Sequence, residues 1–174
     1  LEREALVWSA PNRGQELRSR VSWNGLEVFP RTAGADGIGA RWKVRLRTAS
    51  FGRVGTARQL EAPTIVVQGA HADLDHGPLR EWFDNRAAGI EQGWTIAARP
   101  EGQEPLWIGL EVGGELSFGI DATEQSAVLI DGAGEILLRY RDLRAWDARG
   151  RELAVRLLCG AQGIGIRIAD RGAA

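Results

Sequence analysis

Hydrophobic and polar residues alternate with a period of two along nearly the whole chain, and no stretch of useful length keeps the 3.6-residue period of a helix. From Trp42 to Ser50, Trp42, Val44 and Leu46 point one way while Arg41, Lys43, Arg45 and Arg47 point the other. The earlier "QELRSRVS" sets Leu17 and Val21 against Arg18 and Arg20. Turn signals punctuate these runs: Asn24-Gly25, Gly113-Gly114, "DGAG" at 131–134 and "DARG" at 147–150. Consecutive strands joined by short turns give antiparallel pairing. About a dozen strands exceed what one open sheet carries without curling or splitting. The pattern predicts an all-β, antiparallel two-sheet β-sandwich built largely from hairpins. It is organised as one module over 1–174, either undivided or as two packed halves, 1–78 and 79–174.

Alternation also assigns faces in "LREWFDNRAAGIEQGWTI", 79–96. Leu79, Glu81, Phe83 and Asn85 share one face, and Ile90, Gln92, Trp94 and Ile96 share another, with Glu91 opposite Gln92. A buried amide or carboxylate persists only when hydrogen-bonded, so Glu81, Asn85 and Gln92 are predicted to form a structural polar cluster that ties buried backbone together. The rival is a polar pocket between sheets, which the surrounding aromatic and aliphatic residues disfavour.

Charge changes this picture little. The 174 residues hold 22 Lys plus Arg against 23 Asp plus Glu, a net charge of −1, so there is no global attraction to nucleic acid or to anionic membrane. If the two Arg-bearing strands are neighbours they present a basic face, for which solvation and pairing with Glu16 and Glu27 is the expectation. No apolar run approaches the ~20 residues of a membrane-spanning helix, and no membrane span is expected. The chain has no Met and begins at Leu1, which predicts a piece excised from a longer polypeptide whose signal peptide, if it had one, is gone. The single cysteine, Cys159, sits in the apolar run "RELAVRLLCG" and is expected to be a small buried hydrophobe.

Chemistry-bearing motifs are sparse. His71, Asp73, Asp75 and His76 crowd "HADLDHG", read as a loop, but neither a calcium nor a zinc ligand set is complete there, and no metal or cofactor is expected. There is no G-x-S-x-G elbow, and both histidines fall in that one segment, so nucleophilic catalysis has little support. "GADGIGA" at 34–40 and "GIGIRI" at 163–168 lead into strands or loops rather than helix N-termini, which removes a phosphate cradle. The chain is expected not to be an enzyme.

Four segments, "LREWFDNRAAGIEQGWTI", "PLWIGLEVGGELSF", "LLRYRDLRAWDARGRELAVRL" and "GIGIRIADRGA", resemble in order the N-terminal module of large bacterial secreted proteins that carry FG-GAP (integrin-type propeller) repeats downstream. The resemblance covers about 79–172 closely and the first 78 residues loosely. It rests on Trp82, Phe83, Asn85, Gly89, Ile90, Glu91, Gln92, Gly93 and Trp94, and on Tyr140, Leu143, Asp147, Gly150 and Arg151. "HADLDHG" departs from it as an insertion. The resemblance implies a non-catalytic structural or adhesive module of an exported protein, extracellular or on the cell envelope. It carries over no catalytic residues.

Two alternatives remain. A carbohydrate-binding module needs exposed aromatics, and among seven tryptophans Trp107, alternating with Gly109 and Glu111, and Trp146, on the face of Arg144, are the candidates. Against it stands the expectation that a second sheet covers both. A self-assembling subunit would pair edge strands such as "IGIRIAD" with another chain. Expected partners are therefore neighbouring domains of the same polypeptide, other chains by strand pairing, or a polysaccharide, with nucleic acid excluded.

Overall fold

A computed structural model describes residues 8–34, 37–160 and 163–173; Ala35 and Asp36 of "GADGIGA" lie outside them. The described residues are all-β, with several antiparallel sheets and no helix. They divide into two compact units, one drawn from Leu1–Arg47 and Glu61–Arg99 and the other from Thr48–Leu60 and Pro100–Ala174.

In the first unit β1 (Trp8–Asn12), β2 (Leu17–Ser22), β3 (Gly25–Pro30) and the start of β4 (Val44–Arg53) follow one another in hydrogen-bonded order. The β2–β3 turn is Trp23-Asn24, one residue before the expected Asn24-Gly25, because Gly25 pairs with Ser22 as the first residue of β3. Gly25 has φ 91°, and a Cβ there would strike the Leu46 backbone. Val21, Leu26, Val28, Val44 and Leu46 are buried on one face. The arginines of β2 and β4 are not neighbours: β3 lies between, and Glu27 stands in register with both Arg20 and Arg45, 3.6 Å from the Arg20 guanidinium.

The rest of β4 carries β5 (Arg58–Gln59) in the second unit, described below. The first unit resumes with β6 (Thr64–Gln68), β7 (His71–Asp75), β8 (Arg80–Arg86) and β9 (Gly89–Thr95), a four-stranded antiparallel meander. "HADLDHG" is thus mainly strand and not loop. The reason is its alternation: Ala72 and Leu74 are fully buried, while His71, Asp73 and Asp75 take the other face.

The second unit contains β10 (Leu106–Gly114), β11 (Ser117–Ile120), β12 (Ala127–Ile130), β13 (Ile136–Tyr140), β14 (Ala145–Trp146), β15 (Glu152–Leu153), β16 (Val155–Gly160) and β17 (Gly163–Ile168). One sheet runs β4-β10-β17-β16, a second runs β11-β12-β13, and β14 pairs with β15. Ile108, Leu110, Leu157, Ile164 and Ile166 fill the core of the first of these sheets. Gly113-Gly114 makes no hairpin: β10 continues through it, and the chain leaves for a different sheet. "DGAG" and "DARG" do turn hairpins, by one mechanism. Asp131 Oδ1 accepts the N–H groups of Ala133 and Glu135, and Asp147 Oδ1 accepts those of Arg149 and Arg151.

Two expectations fail here. "IGIRIAD" is no edge, since β17 lies between β10 and β16. Cys159 is exposed, because β16 is the outer strand of its sheet and Cys159 lies next to the last residue of that strand, where burial has given way to exposure.

Candidate functional site

The outer face of the β6–β9 meander gathers most of the unit's polar chemistry. Its registers align Val66, Asp73, Trp82 and Gly93 in one row and Gln68, His71, Asp84 and Glu91 in the next. Trp82 lies across Gly93: a Cβ at Gly93 would collide with Cζ2, Cε2 and Cη2 of the indole, so only glycine lets the ring rest on the β9 backbone. The His71 ring lies nearly parallel to it, at 24° with centroids 6.4 Å apart. Two flat rings therefore sit side by side on the sheet.

An unbroken chain of ion pairs borders them. His71 Nε2 is 3.2 Å from Asp73 Oδ2 and Nδ1 is 2.6 Å from Asp84 Oδ1; Arg86 then bridges Asp84 Oδ2 at 2.8 Å and Glu91 Oε2 at 2.7 Å. The hydrogen bond to Asp84, assisted by Asp73, raises the His71 pKa against the opposing effect of desolvation. The Asp84 carboxyl is held below its usual range by the same hydrogen bond and by Arg86. The strand register, not the local sequence, assembles this chain, and its signal in the sequence was the polar side of "HADLD" and "REWFDNR".

The opposite face holds the predicted polar cluster, which divides. Glu81 is fully buried; its Oε1 accepts Gln92 Nε2–H at 2.6 Å, and its Oε2 is 3.1 Å from His76 Nε2. His76, whose side chain is 4% exposed, is the member the sequence did not place there, and its Nδ1 is buried with no hydrogen-bond partner among the described residues. Asn85 is not in this group. It accepts from the buried Asn12 at 2.9 Å and donates to the Pro11 carbonyl at 3.1 Å, while Asn12 also donates to the Arg86 carbonyl at 2.7 Å. Glu81 and Gln92 thus secure one end of the meander, and Asn85 docks β1 at the other.

In the second unit Trp107 lies over Gly165, where a Cβ would enter its six-membered ring, and it is half-buried. Trp146, in the two-stranded β14–β15 ladder, is 58% exposed, so no second sheet covers it. A shallow groove of about 350 Å³ runs between Gly119, Asp121, Val128, Arg139 and Arg141. Among the described residues no group of three or more His, Cys, Asp or Glu side chains is placed to hold a metal ion.

Compared with protein-family models, with curated proteins and with solved structures, the chain matches none.

Proposed function

We propose that the chain is a non-catalytic structural or adhesive module of an exported bacterial multidomain protein, extracellular or on the cell envelope, of the kind that precedes FG-GAP repeats. The observation that carries this reading is how the buried polar groups are used. Glu81 with Gln92, Asn12 with Asn85, and Arg53 with Asp170 are each committed to hydrogen bonds that hold strands and loops in place. In the first unit we infer that the β6–β9 meander stacks face to face on β1–β4 as a sandwich. The Asn12–Asn85 contact and the facing apolar sets Val21, Leu26, Val44 and Ala72, Leu74, Phe83 support this pairing. An antibody raised against the purified chain should label intact cells of the source organism or its culture medium. Labelling only after lysis, with a cytosolic marker, overturns the reading.

A second reading, self-assembly by strand addition, is favoured at β6. This strand is an edge of its sheet, carries no charged residue, and leaves Val66 51% and Val67 42% exposed. It predicts a concentration-dependent dimer in analytical ultracentrifugation that Val66→Lys disperses; a monomer at every concentration sinks it.

A further inference from the structure

The outer face of the meander has a composition that selects among ligands. It carries both signs, with Asp73, Asp75, Asp84 and Glu91 interspersed among Arg80, Arg86 and the ring of His71. A face of mixed sign favours neither a polyanion nor a polycation. What it offers is an aromatic surface and an ordered border of hydrogen-bonding groups. With one face of the Trp82 indole laid on Gly93, the other is turned away from the sheet. The carboxylates and the guanidinium beside it are held by one another, through His71 and Arg86, so little freedom is lost when they engage a ligand. A ligand that matches has an apolar face the size of a six-membered ring and a rim of neutral groups that both donate and accept hydrogen bonds. A pyranose is that shape, its axial C–H groups meeting the ring and its equatorial hydroxyls meeting the carboxylates.

We propose that this face binds a neutral polysaccharide, a sugar ring stacking on the outward side of Trp82 with its hydroxyls bound by Asp73, Asp84 and Arg86. The proposal rests on the adhesive reading above and gives it a ligand class and a place. It places the sugar site at Trp82, beside the His71, Asp73, Asp84 and Arg86 chain, rather than at Trp107 over Gly165 or at Trp146 in the two-stranded ladder.

The test titrates the purified chain with cellohexaose, laminarihexaose and mannohexaose, read by calorimetry and by the Trp82 indole N–H in NMR spectra. Saturable binding that shifts this resonance, weakens at least tenfold in Trp82→Ala and persists in Trp146→Ala is the expected result. Because Trp82→Ala removes part of the sheet's packing, Asp84→Asn is the second variant, and it should weaken binding several-fold while keeping the fold. No shift of the Trp82 indole with any of the three sugars at millimolar concentration overturns the proposal, as does undiminished affinity in Trp82→Ala. Release of new reducing ends from a bound sugar would instead overturn the non-catalytic reading and leave the site standing.

Discussion

Arg53 and Asp170, 117 residues apart in sequence, meet in a salt bridge of 2.7 Å with both side chains only 4% exposed. The guanidinium also donates to the carbonyls of Pro100 at 2.5 Å, Glu104 at 2.8 Å and Glu101 at 3.4 Å. One cation thereby holds the loop that enters β10 and the segment that leaves β17. A buried ion pair is a weak source of net stability, but removing one member strands the other charge in a dry site.

Arg53→Met should therefore cost about 3–5 kcal/mol, since it removes the cation that faces the buried Asp170 carboxylate and leaves loop carbonyls without their donor. Urea denaturation measures it. A loss under about 1 kcal/mol, the range of an exposed pair, would show that water reaches this site.

The ion-pair chain on the meander titrates from both ends. The folded pKa of His71 is raised above 6.5, so its contribution is complete below that value and is lost as pH rises through the folded pKa. The folded pKa of Asp84 is lowered below 3.8, so its contribution is complete above that value and is lost as pH falls through the folded pKa. The chain is intact between these limits. An NMR titration of His71 should give a pKa above 6.5 that moves down in Asp84→Asn; an unchanged value in that variant would mean that Asp84 is not the main cause.

Strand identity was legible where alternation stands out, as at Leu79, Glu81 and Phe83, which sit on the inner face that the pattern assigns; Ala72 and Leu74 alternate in the same way, but the His and Asp residues around them make the segment read as a loop. Pairing was legible where a short turn joins neighbouring strands, as between β2 and β3, one residue from the expected place, and as with Asp131 and Asp147, whose carboxylates fold their own hairpins. It was not legible for β10, where Gly113-Gly114 resembles a turn but the partners are β4 and β17, because a long-range ladder leaves no local mark. The same holds for sites. Glu81 with Gln92 follows from two short alternations, whereas His76 joins them from a turn, Asn85 finds Asn12 across 73 residues, and Arg53 finds Asp170 across 117.

The register that brings Gln92 to Glu81 is testable by two neighbouring substitutions. Gln92→Ala leaves the fully buried Glu81 with one acceptor oxygen unpaired and should cost about 1–3 kcal/mol. Glu91 lies on the exposed face, where its ion pair with Arg86 is open to solvent, and Glu91→Ala should stay within about 0.5 kcal/mol. Chemical denaturation of both decides it. The reverse order of costs would mean that β9 is slipped by one residue.

Gly93 and Trp82 give a prediction whose sign depends on the background. In the native chain Gly93→Ala drives a methyl group into the indole and should cost about 1–3 kcal/mol, as overpacking that forces the ring from its rotamer. Glycine inside a strand is itself unfavourable relative to alanine by roughly 0.5–1 kcal/mol, through the greater freedom of the unfolded chain. With Trp82→Ala already in place the collision is gone and only that backbone effect remains, so Gly93→Ala should become neutral or stabilising. The difference between the two backgrounds, read from a double-mutant cycle in denaturant, is the energy of seating the ring on β9. Equal effects of Gly93→Ala in both backgrounds would show that Trp82 does not rest on this glycine, and the flat aromatic surface would be lost with it.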